Sequence, residues 1–336
     1  MRPSKENPEY TVVLTTLEGR QYELTPILGS LDISHQKDQL AMCVTLNLLN
    51  INYQGQWVNA MIEARQRVFL YANDGERHEE VWRGFVWSVS YTSATEGREL
   101  TVRCYDNLIF WQESEDSAFF PAGWSTQTAL ESIFSRWGVP MRWQYQSITH
   151  KKLALRGTLA DLVTGDVLDL VKRQTGTKYA IVMEGDTAVI RTAGDNEVYY
   201  KIIQASNAIN TKSSQTMEGM ITKVLVLGTG KDSDKPPVEA TLSGDTATYG
   251  TLQKLQDRGS DATLADAKKE AQATIDEHGT PKWEYELRCS DIPWVRKGDR
   301  VYVSTGGIYQ KTLIVWSIDR HISDESKDMT LTMEDV

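Results

Sequence analysis

Cysteine is scarce in this sequence, and its spacing excludes two common structural roles. Only three cysteines, Cys43, Cys104 and Cys289, occur among 336 residues, and no two of them form a Cys-x-x-Cys pair. An odd number of isolated cysteines fits neither a disulfide framework nor a zinc site. The sequence therefore predicts folding in a reducing cytoplasm.

Long apolar runs and basic clusters are also missing. No stretch approaches the roughly 18 apolar residues of a membrane helix, and the first ten residues, MRPSKENPEY, contain no apolar core of a signal peptide. The 46 acidic residues outnumber the 36 basic ones, and no run of five basic residues occurs. We therefore expect no membrane span, no signal peptide and no specific nucleic-acid binding.

Recognisable catalytic and ligand-binding motifs are lacking. The five histidines show neither His-Glu-x-x-His nor His-x-His spacing. The segment Gly228-Thr-Gly-Lys231 is not a phosphate-binding loop, because Leu225 replaces its first glycine and Asp232 replaces its Ser or Thr. Asp232-Ser-Asp234 lacks the glycine and the distal glutamate of a calcium loop. The sequence thus predicts no catalytic residue, no cofactor site, no metal site and no enzyme.

Tryptophan and tyrosine, by contrast, are abundant, at ten and 14 residues against six phenylalanines. Large residues of this kind fill the cores of strand-rich modules, but exposed tryptophans also stack on sugars. A carbohydrate-binding protein is therefore an alternative function, and clustered carboxylates such as Glu113 and Glu115 leave a cell-wall hydrolase as a weaker one. The tryptophans that could form a sugar platform are Trp82, Trp87, Trp111, Trp124, Trp294 and Trp316.

The chain contains one internal repeat. Residues 86–106 (VWSVSYTSATEGRELTVRCYD) align without a gap with residues 315–335 (VWSIDRHISDESKDMTLTMED), at a constant offset of 229 positions. The residues upstream repeat as well, since RVFLY at 67–71 matches RVYVS at 300–304. A repeat at such long spacing is not a solenoid. It predicts one β-module used twice in the same chain.

The best-matched positions of the repeat are candidate structural anchors. Conserved apolar and aromatic positions in two copies of a module most simply perform the same packing task in each. We therefore expect the two tryptophans to be matching core residues rather than a ligand site. The anchors are Val86, Trp87 and Asp106 in the first copy, and Val315, Trp316 and Asp335 in the second.

Period-two alternation and turn signals predict a first β-barrel over residues 1–113. Residues 114–208 change character and predict a small α+β module. Its helix at 126–137 has Ser125 as N-cap, its helix at 165–175 ends at Gly176, and its hairpin joins 178–183 to 187–192. The expected strands of the first barrel are 10–16, 21–24, 42–49, 68–72, 81–93 and 98–105.

Residues 209–336 return to a strand pattern and predict a second β-barrel. It includes a long polar loop at 228–262 with a short strand near 239–243, and a helix at 263–278 capped by Thr263. The predicted fold class is therefore mainly β, with two tandem β-barrels flanking a small α+β insertion. The repeat forms a hairpin in each barrel.

This layout resembles the baseplate hub proteins of contractile phage tails and phage-tail-like bacteriocins, the family that includes the late-control D proteins. The resemblance covers essentially the whole chain and is carried by 80–106 (EVWRGFVWSVSYTSATEGRELTVRCYD), by the middle module at 126–192, and by 297–334, which opens KGDRVYV. It implies two barrels akin to the tail-tube protein in each subunit. No lysozyme-like segment accompanies them.

The resemblance also implies an assembly. Three subunits with two barrels each would form a pseudo-sixfold ring that adapts a sixfold tail tube to a threefold spike. Implied partners are a homotrimer, the tail tube protein, the central spike protein, other baseplate proteins and the tape measure, with DNA in the lumen if the particle carries it. The implied location is the tail baseplate of a virion or tailocin assembled in the bacterial cytoplasm.

Overall fold

The computed structural model of the chain describes residues 8–94, 97–144, 147–149, 153–204, 206–228, 236–258 and 262–336. These residues form two compact units. The first unit comprises the chain up to Lys212 together with Tyr285–Val336, and the second comprises Ser213–Glu284. The segments 229–231 and 232–234, where the sequence excluded a phosphate loop and a calcium loop, lie outside the described residues.

Strands dominate the structure, as the sequence predicted. They are β1 (Glu9–Thr15), β2 (Gln21–Glu23), β3 (Leu28–His35), β4 (Cys43–Leu49), β5 (Asn52–Tyr53), β6 (Gln56–Trp57), β7 (Arg67–Asn73), β8 (His78–Ala94), β9 (Gly97–Tyr105), β10 (Glu115–Phe120), β11 (Met141–Gln144), β12 (Leu153–Thr158), β13 (Tyr179–Glu184), β14 (Thr187–Thr192), β15 (Tyr200–Ile203), β16 (Ala208–Thr216), β17 (Lys223–Leu227), β18 (Val238–Ser243), β19 (Gln253–Asp257), β20 (Lys282–Ser290), β21 (Arg300–Ser304), β22 (Lys311–Ser323) and β23 (Lys327–Asp335).

Helices are fewer and shorter. They are α1 (Val58–Met61), α2 (Ile109–Gln112), α3 (Thr126–Arg136), α4 (Asp169–Thr175), α5 (Thr246–Tyr249) and α6 (Leu264–His278), with a 3₁₀ turn at Thr25–Ile27 and a π-helical segment at Asp161–Leu168 that runs into α4. None of these helices is long and apolar enough to cross a membrane.

One 13-stranded sheet contains both copies of the repeat. Its strand order is β16-β20-β23-β22-β3-β4-β9-β8-β7-β1-β2, with β21 beside β22 and β15 beside β21. We call β1–β4 and β7–β9 the first β-module, and β15, β16 and β20–β23 the second β-module. The predicted mainly β class is confirmed, but the sequence did not indicate that β3 and β22 would join the two modules into one sheet.

Each β-module has its own apolar core, built by strand alternation. In the first module, alternate residues of β1 point inward, so that Val12 and Leu14 are buried with Leu46 of β4 and Val102 of β9. In the second module, Leu287 of β20 and Leu331 of β23 belong to a separate core cluster. Burial of each such leucine or valine stabilises the fold by roughly 1.5–3 kcal/mol.

The stretch from β10 to β14, which we call the middle module, contains helices and a hairpin close to the predicted places, and its apolar residues share a third core with Leu40 and Leu108. Ser125 caps α3 by accepting a hydrogen bond from the Thr128 backbone N–H, as predicted. The second helical segment begins at Asp161 rather than at Gly165, and it ends where Gly176 adopts a left-handed φ of 75°. The predicted hairpin is present as β13 and β14.

The second compact unit corrects one expectation. The short strand predicted near 239–243 is present as β18, but the rest of the segment predicted as a polar loop also contains α5 and β19. Strands β18 and β19 make a three-stranded sheet with β17, in the order β18-β17-β19. Val224 and Val226 of β17 pack against Ala271 and Ile275 of α6. The polar composition misled the prediction because this small sheet has only one buried face.

Candidate assembly surface

The two copies of the repeat fold into hairpins with the same register. In β8 and β9, Val86 pairs with Cys104 and Ser88 pairs with Arg103, so that one extra residue, Trp87, forms a β-bulge. The hairpin of β22 and β23 has its bulge between Val315 and Ser317, at the equivalent position. A bulge places two residues opposite one and bends the strand. The sequence alignment therefore matches the backbone down to a local irregularity.

Val86 and Val315 are equivalent in backbone contacts as well as in burial. Val86 donates its N–H to the Gln66 carbonyl at 2.9 Å and accepts from the Arg65 N–H at 2.8 Å. Val315 donates to the Asp299 carbonyl at 2.8 Å and accepts from the Gly298 N–H at 2.7 Å. Their side chains are 1% and 0% exposed, each in its own module core.

The two tryptophans differ from the expectation of matching core residues. Trp87 is 40% exposed and packs edge-on against Tyr105 and Phe110, with ring centroids 6.1 Å and 5.8 Å away. Trp316 is 8% exposed and packs with Ala180 of the middle module. Neither belongs to a β-module core, because the bulge turns both side chains to the outer face of the hairpin.

The paired aspartates also diverge. Asp106 is 2% exposed and accepts hydrogen bonds from the backbone N–H groups of Met42 and Leu108, both at 3.0 Å. Burial raises the pKa of Asp106 to about 7. The Asp335 side chain is 53% exposed and forms an ion pair with Lys311 at 2.8 Å. The two positions match in the sequence alignment but differ in burial and in hydrogen-bond partners.

The far halves of the two hairpins have different neighbours. Beyond its bulge, β22 pairs antiparallel with β3 of the first β-module, from Ile318 opposite His35 to Ser323 opposite Ser30. The equivalent part of β8 pairs only with β9 among the described residues. The second hairpin is therefore covered on an edge that the first hairpin leaves open.

A buried polar seam accompanies the junction of β3 and β22. Tyr10 of the first β-module donates its hydroxyl to the Asp291 carboxylate, which also accepts a hydrogen bond from Arg320 Nε at 2.9 Å. Burial is the main cause that raises the pKa of Tyr10 well above its usual value, so the hydroxyl remains a donor. Arg320 also donates to the Val295 carbonyl at 2.7 Å. The buried charges are thus paired and hydrogen-bonded, as burial requires.

The loop between β20 and β21, residues 291–299, contributes Asp291 and Val295 to the seam and also contacts the first β-module. Lys297 is 7% exposed and its Nζ donates to the carbonyls of Gln36, Lys37 and Gln39 at 2.6–2.9 Å. Burial lowers the pKa of Lys297 to about 8. Trp294 Nε1 donates to Asp74 at 2.8 Å. The loop therefore fixes the turns of the first β-module from the side of the second.

The same loop also holds the middle module. Arg191 of β14 forms an ion pair with Asp299, with N···O at 2.5 Å and little exposure of either side chain. On the other side, Asp186 accepts from Arg67 at 2.9 Å and from Arg83 at 3.0 Å. Sequence reasoning missed this loop, although its sequence, DIPWVRKGD, combines an apolar run with four charged residues.

The described residues form no candidate metal site. They contain no group of three or more His, Cys, Asp or Glu side chains arranged to hold a metal ion. Trp82, Trp111 and Trp316 are buried, so three members of the possible sugar platform are out of reach. Trp124, which is 37% exposed, packs against Phe120. The most distinctive surface is the open edge of the first hairpin.

Comparison with protein families assigns the chain to one family. The sequence model described as YQBQ-like matches residues 31–334. The chain belongs to this family. No curated protein matches the chain.

Solved structures share the fold of this YQBQ-like chain at low identity. The 43 kDa tail protein of prophage MuSo2 from Shewanella oneidensis has a TM-score of 0.70 at 13% identity, covering 98% of both chains. A tail protein from Neisseria meningitidis MC58 has a TM-score of 0.70 at 14% identity, covering 97% of this chain and 96% of its own. The c3393 protein of E. coli, a type VI secretion component, has a TM-score of 0.56 at 8% identity, covering 92% and 74%. The fold is therefore that of phage tail proteins and a secretion-system relative.

Proposed function

We propose that this YQBQ-like chain is the structural hub of a contractile tail baseplate. Three copies form a pseudo-sixfold ring that adapts the sixfold tail tube to the threefold spike. The chain performs no catalysis; it acts by presenting two tube-like β-modules per subunit. The similarity to phage tail proteins and to a type VI secretion component supports this role.

The junction of β3 and β22 carries the proposal. It joins two modules that share a hairpin, a register and a bulge, through different surfaces on each module. Such a heterologous contact generates a ring when it is repeated and the rotation closes. Each chain therefore contains one module-to-module contact of the ring, and contacts between copies supply the others.

The proposed surroundings follow from the ring. The tail tube protein lies on one side and the central spike protein on the other, with other baseplate proteins and the tape measure as neighbours. DNA passes through the lumen if the particle carries it. The assembled protein is located in the tail baseplate of a virion or tailocin, after assembly in the bacterial cytoplasm.

Reconstruction of tail particles from cells that produce this chain tests the proposal. We expect three copies in one ring between the tube end and the spike. Light scattering on the purified chain, alone and after addition of the spike protein, should reach a mass of three times 38.0 kDa. A ring of another copy number, or a different location in the particle, would contradict the hub.

The two alternative functions predict different assay results for the purified protein. A carbohydrate-binding protein would bind a glycan array and lose binding on Trp124→Ala. A cell-wall hydrolase would clear peptidoglycan in a zymogram. We expect no glycan signal and no clearing, because three of the candidate tryptophans are buried and the sequence has no recognisable catalytic motif.

A further inference from the structure

The first hairpin ends in an unpaired strand edge. On the side away from β9, strand β8 pairs with β7 and with Gln66 only as far as Val86. From Ser88 to Ala94, the described residues provide no partner on that side. We call residues 88–94 of β8 the open edge. Its backbone N–H and C=O groups can accept another strand.

In the second hairpin, the equivalent edge is covered by other backbone segments. Strand β22 pairs with β21 up to Ile314, and Val315 then bonds to Gly298 and Asp299. From Ile318 to Ser323 the same side of β22 pairs with β3. The open edge and this covered segment occupy equivalent positions in the two hairpins.

The exposures of the equivalent side chains differ accordingly. Val89 is 37% exposed, whereas its counterpart Ile318 is 0% exposed. Tyr91 is 43% exposed, whereas its counterpart Arg320 is 4% exposed. Val89 lies opposite Val102, a core residue, so it faces the core side of the sheet without being covered. The first hairpin therefore lacks a partner that the second one has.

The composition of the open edge favours pairing. The sequence WSVSYTSA at 87–94 has no charged residue and no proline, whereas the counterpart WSIDRHIS at 316–323 has Asp319 and Arg320. Soluble proteins protect free edges with charges, prolines or bulges. An uncharged strand with exposed Val89 and Tyr91 is instead typical of an edge that is covered in the assembled state.

We propose that the open edge pairs with β16 of a second copy of this chain. In the sheet order, β3 stands two strands from β9, and β16 stands two strands from β23. Strand β16 is therefore the counterpart of β3, and it is a terminal strand whose Ile209 is 58% exposed. The strand pairing between two copies is therefore equivalent to the pairing of β22 with β3 within one copy. The inference rests on the proposed hub and names the strands that close its ring.

One pair of variants tests the edge. Val89→Lys places a charge where the counterpart Ile318 is fully buried, so we expect at least about tenfold weaker self-association and exclusion from particles. Thr92→Lys is the matched control, because its counterpart His321 has a side chain 49% exposed. Val89 is already exposed in the single chain, so both variants should keep the wild-type unfolding midpoint at low concentration.

Disulfide trapping in assembled particles tests the partner strand. Thr92→Cys is combined in turn with Asn210→Cys, Thr211→Cys and Lys212→Cys of β16, and mild oxidation should give covalent multimers for at least one pair. The control combines Thr92→Cys with Gln21→Cys of β2, a terminal strand at the other end of the sheet. Thr92→Cys alone reports random cross-linking.

The outcomes separate this inference from the proposed function. Cross-links to β16 and selective exclusion of Val89→Lys support the pairing. A ring of three copies without these cross-links, or one that accepts Val89→Lys, overturns the pairing and leaves the hub intact. Loss of binding to another baseplate protein with unchanged self-association also overturns it, because the occupant is then not a second copy. Particles without a ring of this chain overturn both.

Discussion

The Tyr10 hydroxyl donates a hydrogen bond to the Asp291 carboxylate, across 281 positions of sequence. Tyr10 is 7% exposed and Asp291 is fully buried. Because Asp291 also accepts from Arg320 on β22, the three residues connect the first strand of one β-module to the repeat hairpin of the other. The proposed ring requires the two modules to keep one fixed arrangement. The buried hydrogen bonds of this seam are suited to that role because they join the two modules directly.

Removal of the Tyr10 hydroxyl should weaken the seam. Tyr10→Phe leaves one buried acceptor position of Asp291 unsatisfied, so we expect the free energy of unfolding to fall by about 1–3 kcal/mol in urea titrations. Tyr53→Phe is the control, because the Tyr53 hydroxyl donates to the Glu23 carbonyl at an exposed site and should cost at most about 0.5 kcal/mol. Equal effects of the two variants would contradict a special role of the seam.

Lys297 should contribute more than an ordinary lysine. Lys297→Met keeps the apolar stem but removes the donor of three carbonyl hydrogen bonds, and we expect a loss of about 2–4 kcal/mol by calorimetry or urea titration. Lys37→Met removes an ion pair with Glu334 from a lysine whose side chain is 59% exposed, and should cost under about 1 kcal/mol. If Lys297→Met is as mild as this control, the carbonyl contacts do not fix the loop.

Asp106 should make stability depend on pH near neutrality. Its folded pKa of about 7 exceeds the ordinary 3.8, so the folded state binds more protons between these values. Its stabilising contribution is therefore complete below about pH 4 and is lost as the pH rises through about 7. A shift of about 3 units corresponds to about 4 kcal/mol.

The non-titrating variant Asp106→Asn isolates this effect. We expect the free energy of unfolding of the wild type, minus that of the variant, to fall by about 4 kcal/mol between about pH 4 and about pH 8. Other carboxylates contribute equally to both proteins and cancel in the difference. A constant difference for Asp106→Asn would show that its carboxyl group does not titrate there.

Gly84 should not tolerate a side chain. A Cβ at this position of β8 would lie 2.2 Å from the Tyr105 carbonyl oxygen and 2.5 Å from the Trp82 ring. Gly84→Ala should therefore cost about 1–3 kcal/mol, or more if the hairpin cannot shift. Gly165→Ala is the control, because a Cβ meets nothing within 4 Å in that helical segment and should be neutral or stabilising. Thermal unfolding of the two variants makes the comparison.

Local sequence signals predicted most elements of the structure. The alternation in β1 and β4 indicated their buried faces, and Ser125 and Thr263 marked the starts of α3 and α6 through side-chain capping. Gly176 marked the end of α4 because a left-handed residue is needed there. Such signals act over a few residues and therefore depend little on the rest of the chain. Composition failed at 246–257, where α5 and the polar strand β19 were predicted as a loop, because a strand of this small sheet needs only one buried face.

By itself, the sequence determined that one hairpin occurs twice and which residues of its two copies correspond. Only the tertiary structure decided that the bulge turns Trp87 and Trp316 outward, that Asp106 is buried while Asp335 is exposed, and that β22 pairs with β3. Strand propensity and alternation specify which face of a strand is buried, but not which edge it will meet. Edge partners are selected by packing between residues far apart in the chain. The same hairpin is therefore covered in one module and open in the other.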